Sequence, residues 1–211
     1  MELLNQIAAS LREGAEERVA ELTREAVASG RTAKEILDMG LIAGMNEVGE
    51  LFRKQEIFLP DVLLAARAMY AGLEVIKPLM LEQKVEPLGR VVIGTVQGDL
   101  HDIGKNLVGI MLRGAGFDVI DLGNDVAPER FIAAAEQWDC RVIGMSALLT
   151  TTMPMMKRTC ELLRTRGLHG RVKTIIGGAP VTAEYASQIG ADAYAFDAAA
   201  AVETVKRLVG R

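Results

Sequence analysis

RVVIGTVQGDLHDIGKN, residues 90–106, decides how the chain folds. Its first seven residues, Arg90 to Val96, form an unbroken apolar run, as expected of a strand buried on both faces. A polar, glycine-bearing turn follows, and helical spacing takes over from Ile103. The segment therefore reads as strand, loop and helix. Working toward the C-terminus, the unit repeats. Short apolar runs recur at 117–122, 141–147, 172–176 and, more weakly, 193–196. Helical stretches follow them at 103–113, 128–138, 152–166, 182–189 and 198–209.

Strand and helix alternating five times predict an α/β domain with an open, doubly wound parallel sheet. Five units favour the flavodoxin-like order 2-1-3-4-5 over a six-stranded dinucleotide fold. Ligands of such sheets bind beyond the carboxyl ends of the strands. The loops that matter are then those after Val96, Gly123, Ala147, Ile176 and Phe196.

Toward the N-terminus the rhythm is helical throughout. Leu3, Leu4, Ile7 and Leu11 form one amphipathic stripe; Val19, Leu22, Ala26 and Val27 form a second, which stops at Gly30. Thr32 and Glu35 have capping-box spacing and open a third stretch through Ile36 and Leu37. Leu41 to Lys54 reads as one helix. Pro60 sits where a first helical turn tolerates proline, and opens a long helix to about Leu81 with Leu63, Leu64, Ala68, Leu73 and Ile76 facing inward. Residues 1–84 are expected to form a small helical bundle. The polar stretch EQKVEPLG, residues 82–89, is the natural linker to a second domain at 90–211.

Composition narrows the function. The chain has 211 residues, 50% of them hydrophobic, enough for two small cores without disulfides. Its 24 basic and 28 acidic residues are interleaved, so no basic patch points to nucleic acid or an anionic membrane. Cys140 and Cys160 lie in apolar or helical stretches without CxxC spacing, as buried free thiols of a reducing compartment would. The first residues, MELLNQIAASLREGAEE, carry acids where a signal peptide would be basic, and no apolar run approaches ~18 residues. A cytoplasmic protein is expected.

The loop Gly98-Asp99-Leu100-His101-Asp102-Ile103-Gly104-Lys105-Asn106 is the densest polar segment of the second half, and it lies at the predicted switch point. As a phosphate loop it has one residue too many between its glycines, Asn106 in place of the metal-binding hydroxyl, and two opposing aspartates. As a zinc site it lacks ligands. The chain has two histidines, and His169 lies in a Gly-rich turn at the far end of the sheet. A third chemistry is a single axial ligand for a metal that arrives with its equatorial ligands already in place. One imidazole nitrogen would bind it while the other donates to Asp99, two residues earlier and on the same side of an extended chain. Gly98 and Gly104 would leave room for a bulky planar group. Against this stands a plainer possibility, that Asp99 and Asp102 only cap the next helix. Spacing does not separate the last two.

The motif itself resembles a known one. Asp99-x-His101-x-x-Gly104 looks like the cobalamin-binding signature of methionine synthase and of the corrinoid proteins of anaerobic methyltransferase systems. Ser146-Ala147-Leu148 resembles that family's Ser-x-Leu after the third strand, and Gly177-Gly178 its glycine pair after the fourth. The stretch Gly44 to Phe52 (GMNEVGELF), with Phe58-Leu59-Pro60, is similar to the helical cap of methyl-carrying members.

The resemblance implies a corrinoid methyl carrier. Its cofactor would be cobalamin or a related cobamide cycling between Co(I) and methyl-Co(III). The nucleotide base would be detached and His101 would be the lower axial ligand and sole protein metal ligand. Gly98, Asp99, Leu100, His101, Asp102, Ile103 and Gly104 would form the lower site. Asp99 and Thr152 would extend His101 into a relay, Thr152 standing where methionine synthase has a serine. Ser146, Leu148 and Thr150, then Gly177, Gly178 and Ala179, then Tyr194, Ala195 and Asp197 would line the channel for the nucleotide tail. Phe52, Leu59 and Val62 would cover the upper face and exclude water. Catalysis would belong to partners: a substrate methyltransferase, an acceptor methyltransferase using tetrahydrofolate or coenzyme M, and a reductive activator. The donor (methylamine, methanol, betaine or methoxylated aromatic) is left open. A cobalamin-based sensor shares these motifs, but no helix-turn-helix or basic face is left for DNA. A radical-mutase subunit would lack the helical N-terminal half.

Overall fold

The computed structural model describes residues 2–210; the expected outer limits at residues 1 and 211 lie outside it. The described chain divides into two compact units, residues 2–87 with 114–116, and residues 88–113 with 117–210.

The first unit is helical: α1 Glu2–Arg12, α2 Glu16–Ala28, α3 Ala33–Ile36, a π-helical segment Leu37–Ile42, α4 Ala43–Arg53 and α5 Leu59–Glu82. The capping box forms as the spacing predicts. Thr32 accepts the Glu35 amide, and the Glu35 carboxylate accepts the Thr32 N–H at 2.9 Å. Two expectations need correction. The stretches read as two helices, 32–37 and 41–54, form one continuous helical run through the π segment. Glycines here let α1 come close, since a Cβ on Gly44 would meet the Ala8 carbonyl oxygen at 2.7 Å. Leu63 and Leu64 do not face inward; they are 39% and 48% exposed. The inward stripe of α5 is instead Val62, Ala65, Met69, Gly72 and Ile76. Its small residues admit neighbouring side chains, as Gly72 does Leu41 and Val19. Ala68 and Ile76 are buried as expected and Leu73 is half-buried, so the correction is confined to Leu63 and Leu64.

The second unit alternates as predicted: β1 Arg90–Thr95, α6 Ile103–Gly114, β2 Asp118–Asp121, α7 Pro128–Gln137, β3 Val142–Ser146, α8 Pro154–Thr165, β4 Lys173–Gly177, α9 Ala183–Ile189, β5 Ala193–Tyr194 and α10 Ala198–Leu208. The five strands are all parallel in the order β2-β1-β3-β4-β5, the flavodoxin-like order. Side chains alternate between faces. Val92, Ile143 and Ile176 pack with Phe131 of α7 and Met156 and Cys160 of α8, all nearly or wholly buried. Ile93 packs closely on α6, where a Cβ on Gly109 would meet its Cδ1 at 2.7 Å. Both cysteines are buried free thiols, and burial pushes the Cys140 thiol up to about 11.

Register fixes where the loops emerge. Thr95 of β1 lies beside Ser146 of β3, which lies beside Gly177 of β4. The segments expected to hold a ligand therefore leave the sheet side by side along its carboxyl edge. No described helix is long and apolar enough to cross a membrane.

Candidate functional site

Beyond β1 the chain turns through Gly98, whose φ is +84°, and Asp99 becomes wholly buried. A buried carboxylate needs partners, and Asp99 has five. Its Oδ1 accepts the His101 backbone N–H at 3.1 Å and faces His101 Nδ1 at 2.8 Å. Its Oδ2 accepts the amides of Leu148 at 2.8 Å and Leu149 at 3.1 Å, and the Thr152 hydroxyl at 2.9 Å. Burial pushes the Asp99 carboxyl up, but hydrogen bonds from the His101 ring, the His101 and Leu148 amides and Thr152 outweigh it and hold it far below the usual carboxylate range.

This network bears on the capping role expected of Asp99. The Asp99 side chain turns away from α6, toward His101 and the β3–α8 loop. Because an ionised carboxylate only accepts, Nδ1 is the nitrogen that carries a proton toward Asp99, and Nε2 is the one open to a ligand. The His101 side chain is 52% exposed, although the ring is held at one edge by a buried anion. Thr95 Oγ1 also anchors the loop by donating to the His101 carbonyl at 3.0 Å.

Among the described residues no three His, Cys, Asp or Glu side chains cluster to hold a metal ion. One free imidazole nitrogen suits a metal that brings its own equatorial ligands, and the surroundings agree. Leu100, Ile103, Leu148 and Leu149 are 69%, 73%, 43% and 40% exposed, an apolar fringe near the histidine. Gly104 has no atom within 4 Å of where its Cβ would stand, which leaves open space on α6. The residues fit a large, flat, metal-bearing cofactor.

The expected site residues of the second unit other than this loop follow the ends of β3, β4 and β5. The Ser146 carbonyl accepts the Val96 amide at 3.0 Å, and the Ala147 amide donates to the Gly177 carbonyl at 3.2 Å. Gly178 holds φ +125°, and a Cβ there would lie 1.9 Å from the Ala147 carbonyl oxygen. The need for glycine is met by backbone packing between strands before any ligand is considered. Thr150 and Ala179 are exposed, Tyr194 is half-buried and Ala195 is buried. Asp197 caps α10, accepting the Ala200 amide at 2.7 Å. In the helical unit, Phe52 and Leu59 are half-buried and Val62 is buried.

The loop after Gly123, between β2 and α7, was expected at this edge, but no residue in it was named. The Asp125 carboxylate accepts the Gly98 amide at 2.7 Å, and its own N–H donates to the Asp99 carbonyl at 3.1 Å. Lys105, buried in the first turn of α6, pairs with Asp121 at the end of β2 at 2.7 Å. Gly123-Asn124-Asp125, three residue types that favour left-handed turns, was the available signal.

Comparison with known proteins agrees with this geometry. Residues 89–206 and 3–77 each match a B12 binding domain model. Trimethylamine corrinoid protein 1 of Methanosarcina mazei is 48% identical over 193 residues, covering 90% of this chain and 89% of that protein. The methanol:cobalamin methyltransferase complex MtaBC of Methanosarcina barkeri has a chain with TM-score 0.88 and 34% identity, covering 100% of this chain and 81% of that one. A cobalamin-binding protein of Desulfitobacterium hafniense gives 0.82 and 32%, covering 98% of each. The sheet with His101 at its carboxyl edge and the helical unit before it thus belong to the family of B12-binding corrinoid proteins, whose cofactor is cobalamin or a related cobamide.

Proposed function

We propose that the protein is a methyl carrier that binds its cobamide with the nucleotide base detached and His101 as lower axial ligand. The observation that carries this is the His101–Asp99 contact at 2.8 Å, which commits Nδ1 of a side chain that is 52% exposed and leaves Nε2 for the metal. The bound corrinoid supplies the cobalt that takes up and gives up the methyl group.

The residues of the chain set the conditions for that exchange. Asp99 stays ionised because five donors surround it, so the ring proton remains at Nδ1 and Nε2 stays a ligand. The Thr152 hydroxyl has one proton and two acceptors, Asp99 Oδ2 at 2.9 Å and the Leu149 carbonyl at 2.8 Å. Turning it from one to the other adjusts the charge that Asp99 presents to the ring. Ser146, Leu148, Thr150, Gly177, Gly178, Ala179, Tyr194, Ala195 and Asp197 line the path of the nucleotide tail, and Phe52, Leu59 and Val62 shield the methyl-bearing face.

The partners are methyltransferases, one loading the methyl group and one passing it to tetrahydrofolate or coenzyme M, with a reductive activator restoring the carrier. Methylamines are the favoured donors, because the trimethylamine and dimethylamine corrinoid proteins of two Methanosarcina species are 48% and 49% identical to this chain. The test is to load wild type and His101→Ala with methylcobalamin and compare visible absorbance. Loss of the histidine-ligated spectrum in the variant is expected; identical spectra would refute the ligation.

A further inference from the structure

The loop that carries His101 is held from two sides, and the ligand reading uses only one of them. On the β3–α8 side, Leu148, Leu149 and Thr152 bind the Asp99 side chain. On the β2–α7 side, Asp125 binds the backbone. Its carboxylate accepts the Gly98 N–H at 2.7 Å and its own N–H donates to the Asp99 carbonyl at 3.1 Å. These two bonds run in opposite directions to adjacent residues, so they fix both the position and the direction of the chain just before the histidine.

Asp125 does this from a backbone conformation that L side chains seldom adopt, with φ +52°. Asp and Asn tolerate that region better than most residues, but at a cost over the ordinary helical region. The conformation persists because the Asp125 amide and carboxylate must both face residues 98–99. The loop has a further anchor: the Gly123 carbonyl accepts the Thr95 amide at 2.9 Å. Asp125 itself is exposed and lies outside the apolar cluster of the sheet. No packing accounts for its geometry.

We propose that Asp125 is a positioning residue for the axial histidine: through Gly98 and Asp99 it sets the placement of the His101 ring, and thereby the strength of axial ligation. This rests on His101 being the ligand. The effect is transmitted through backbone, so it needs the acceptor oxygen at position 125, not the negative charge.

Three variants separate the contributions. Asp125→Asn keeps an acceptor oxygen and tolerates positive φ. Asp125→Gly accepts the φ without strain but has no acceptor. Asp125→Ala lacks both. Each full-length variant, with wild type and His101→Ala, is loaded with methylcobalamin, and the histidine-ligated fraction is read from visible absorbance across a pH titration. Far-UV circular dichroism of the unloaded proteins reports folding. Outer-shell partners of metal-bound histidines typically change metal affinity by ten- to a hundredfold. Asp125→Gly should therefore weaken ligation by about tenfold with the fold intact, and Asp125→Asn should behave as wild type. Wild-type ligation in Asp125→Gly would overturn the proposal, and so would equal loss in Asp125→Asn and Asp125→Gly. If His101→Ala leaves the spectrum unchanged, it is the ligand reading that fails.

Discussion

Replacing Asp99 by asparagine removes one charge and one acceptor site at nearly constant volume, and the structure says what that costs. The amide can turn either way. With its NH2 on the Oδ2 side it meets the Leu148 and Leu149 amides, donor against donor. The better orientation keeps oxygen there and puts NH2 opposite the His101 backbone N–H, at a site where the present contact is 3.1 Å. That amide is then left unsatisfied at a cost of ~1–3 kcal/mol, and three bonds to Oδ2 lose their charged acceptor at ~0.5 kcal/mol each. The sum is about 3 kcal/mol, or a fall of about 10 °C in the melting transition of a unit this size. The same NH2 donates to His101 Nδ1 and drives the ring proton to Nε2, so axial ligation is lost as well. pH gives an independent check. The folded carboxyl lies below its unfolded value of ~3.9, so its contribution is fully present above that pH and is lost as pH falls. The stability gap between wild type and Asp99→Asn should thus be constant near neutrality and shrink by up to ~1.4 kcal/mol per pH unit below ~3.9. Calorimetry of the cofactor-free proteins at pH 7 and pH 3 measures both. A shift under ~3 °C at neutral pH, or a gap that widens in acid, would refute the reasoning.

Two further substitutions test the frame around the site. Gly178→Ala places a methyl 1.9 Å from the Ala147 carbonyl oxygen at a residue with φ +125°. Strain and overpacking together should cost ~3 kcal/mol or more, read as a drop in urea midpoint with m unchanged. The Lys105–Asp121 pair should respond asymmetrically, because the Lys105 side chain is 4% exposed and that of Asp121 is 26% exposed. Asp121→Asn leaves a buried ammonium with amide oxygens, that of Asn106 included, but no counter-charge, and should cost ~3 kcal/mol, whereas Lys105→Met leaves a carboxylate that water can reach and should cost less than half of that. Equal losses in thermal denaturation would contradict the burial difference.

The sheet was legible because its strands are short apolar runs punctuated by polar turns, a pattern that tertiary context seldom overrides. The His101–Asp99 pair was legible as chemistry but not as structure, since spacing allowed a capping role just as well. What separates the two is the pair of Leu148 and Leu149 amides some fifty residues away, and a main-chain donor leaves no mark in side-chain identity. Asp125 escaped for the same reason, as its function lies in its backbone angle and in one acceptor oxygen. In α5 the apolar count favoured Leu63 and Leu64. The buried stripe keeps the expected Ala68 but adds Ala65 and Gly72, because there the helices need room for neighbours more than bulk of their own.

The amides of Leu148 and Leu149 reach Asp99 from the main chain while their side chains stay 43% and 40% exposed. Support for the Asp99–His101 pair and the apolar surface beside it are therefore encoded independently at the same two positions. Mutation can vary the side chains there without loosening the Asp99–His101 pair. A library randomised at these sites should be rich in folded, ligating proteins.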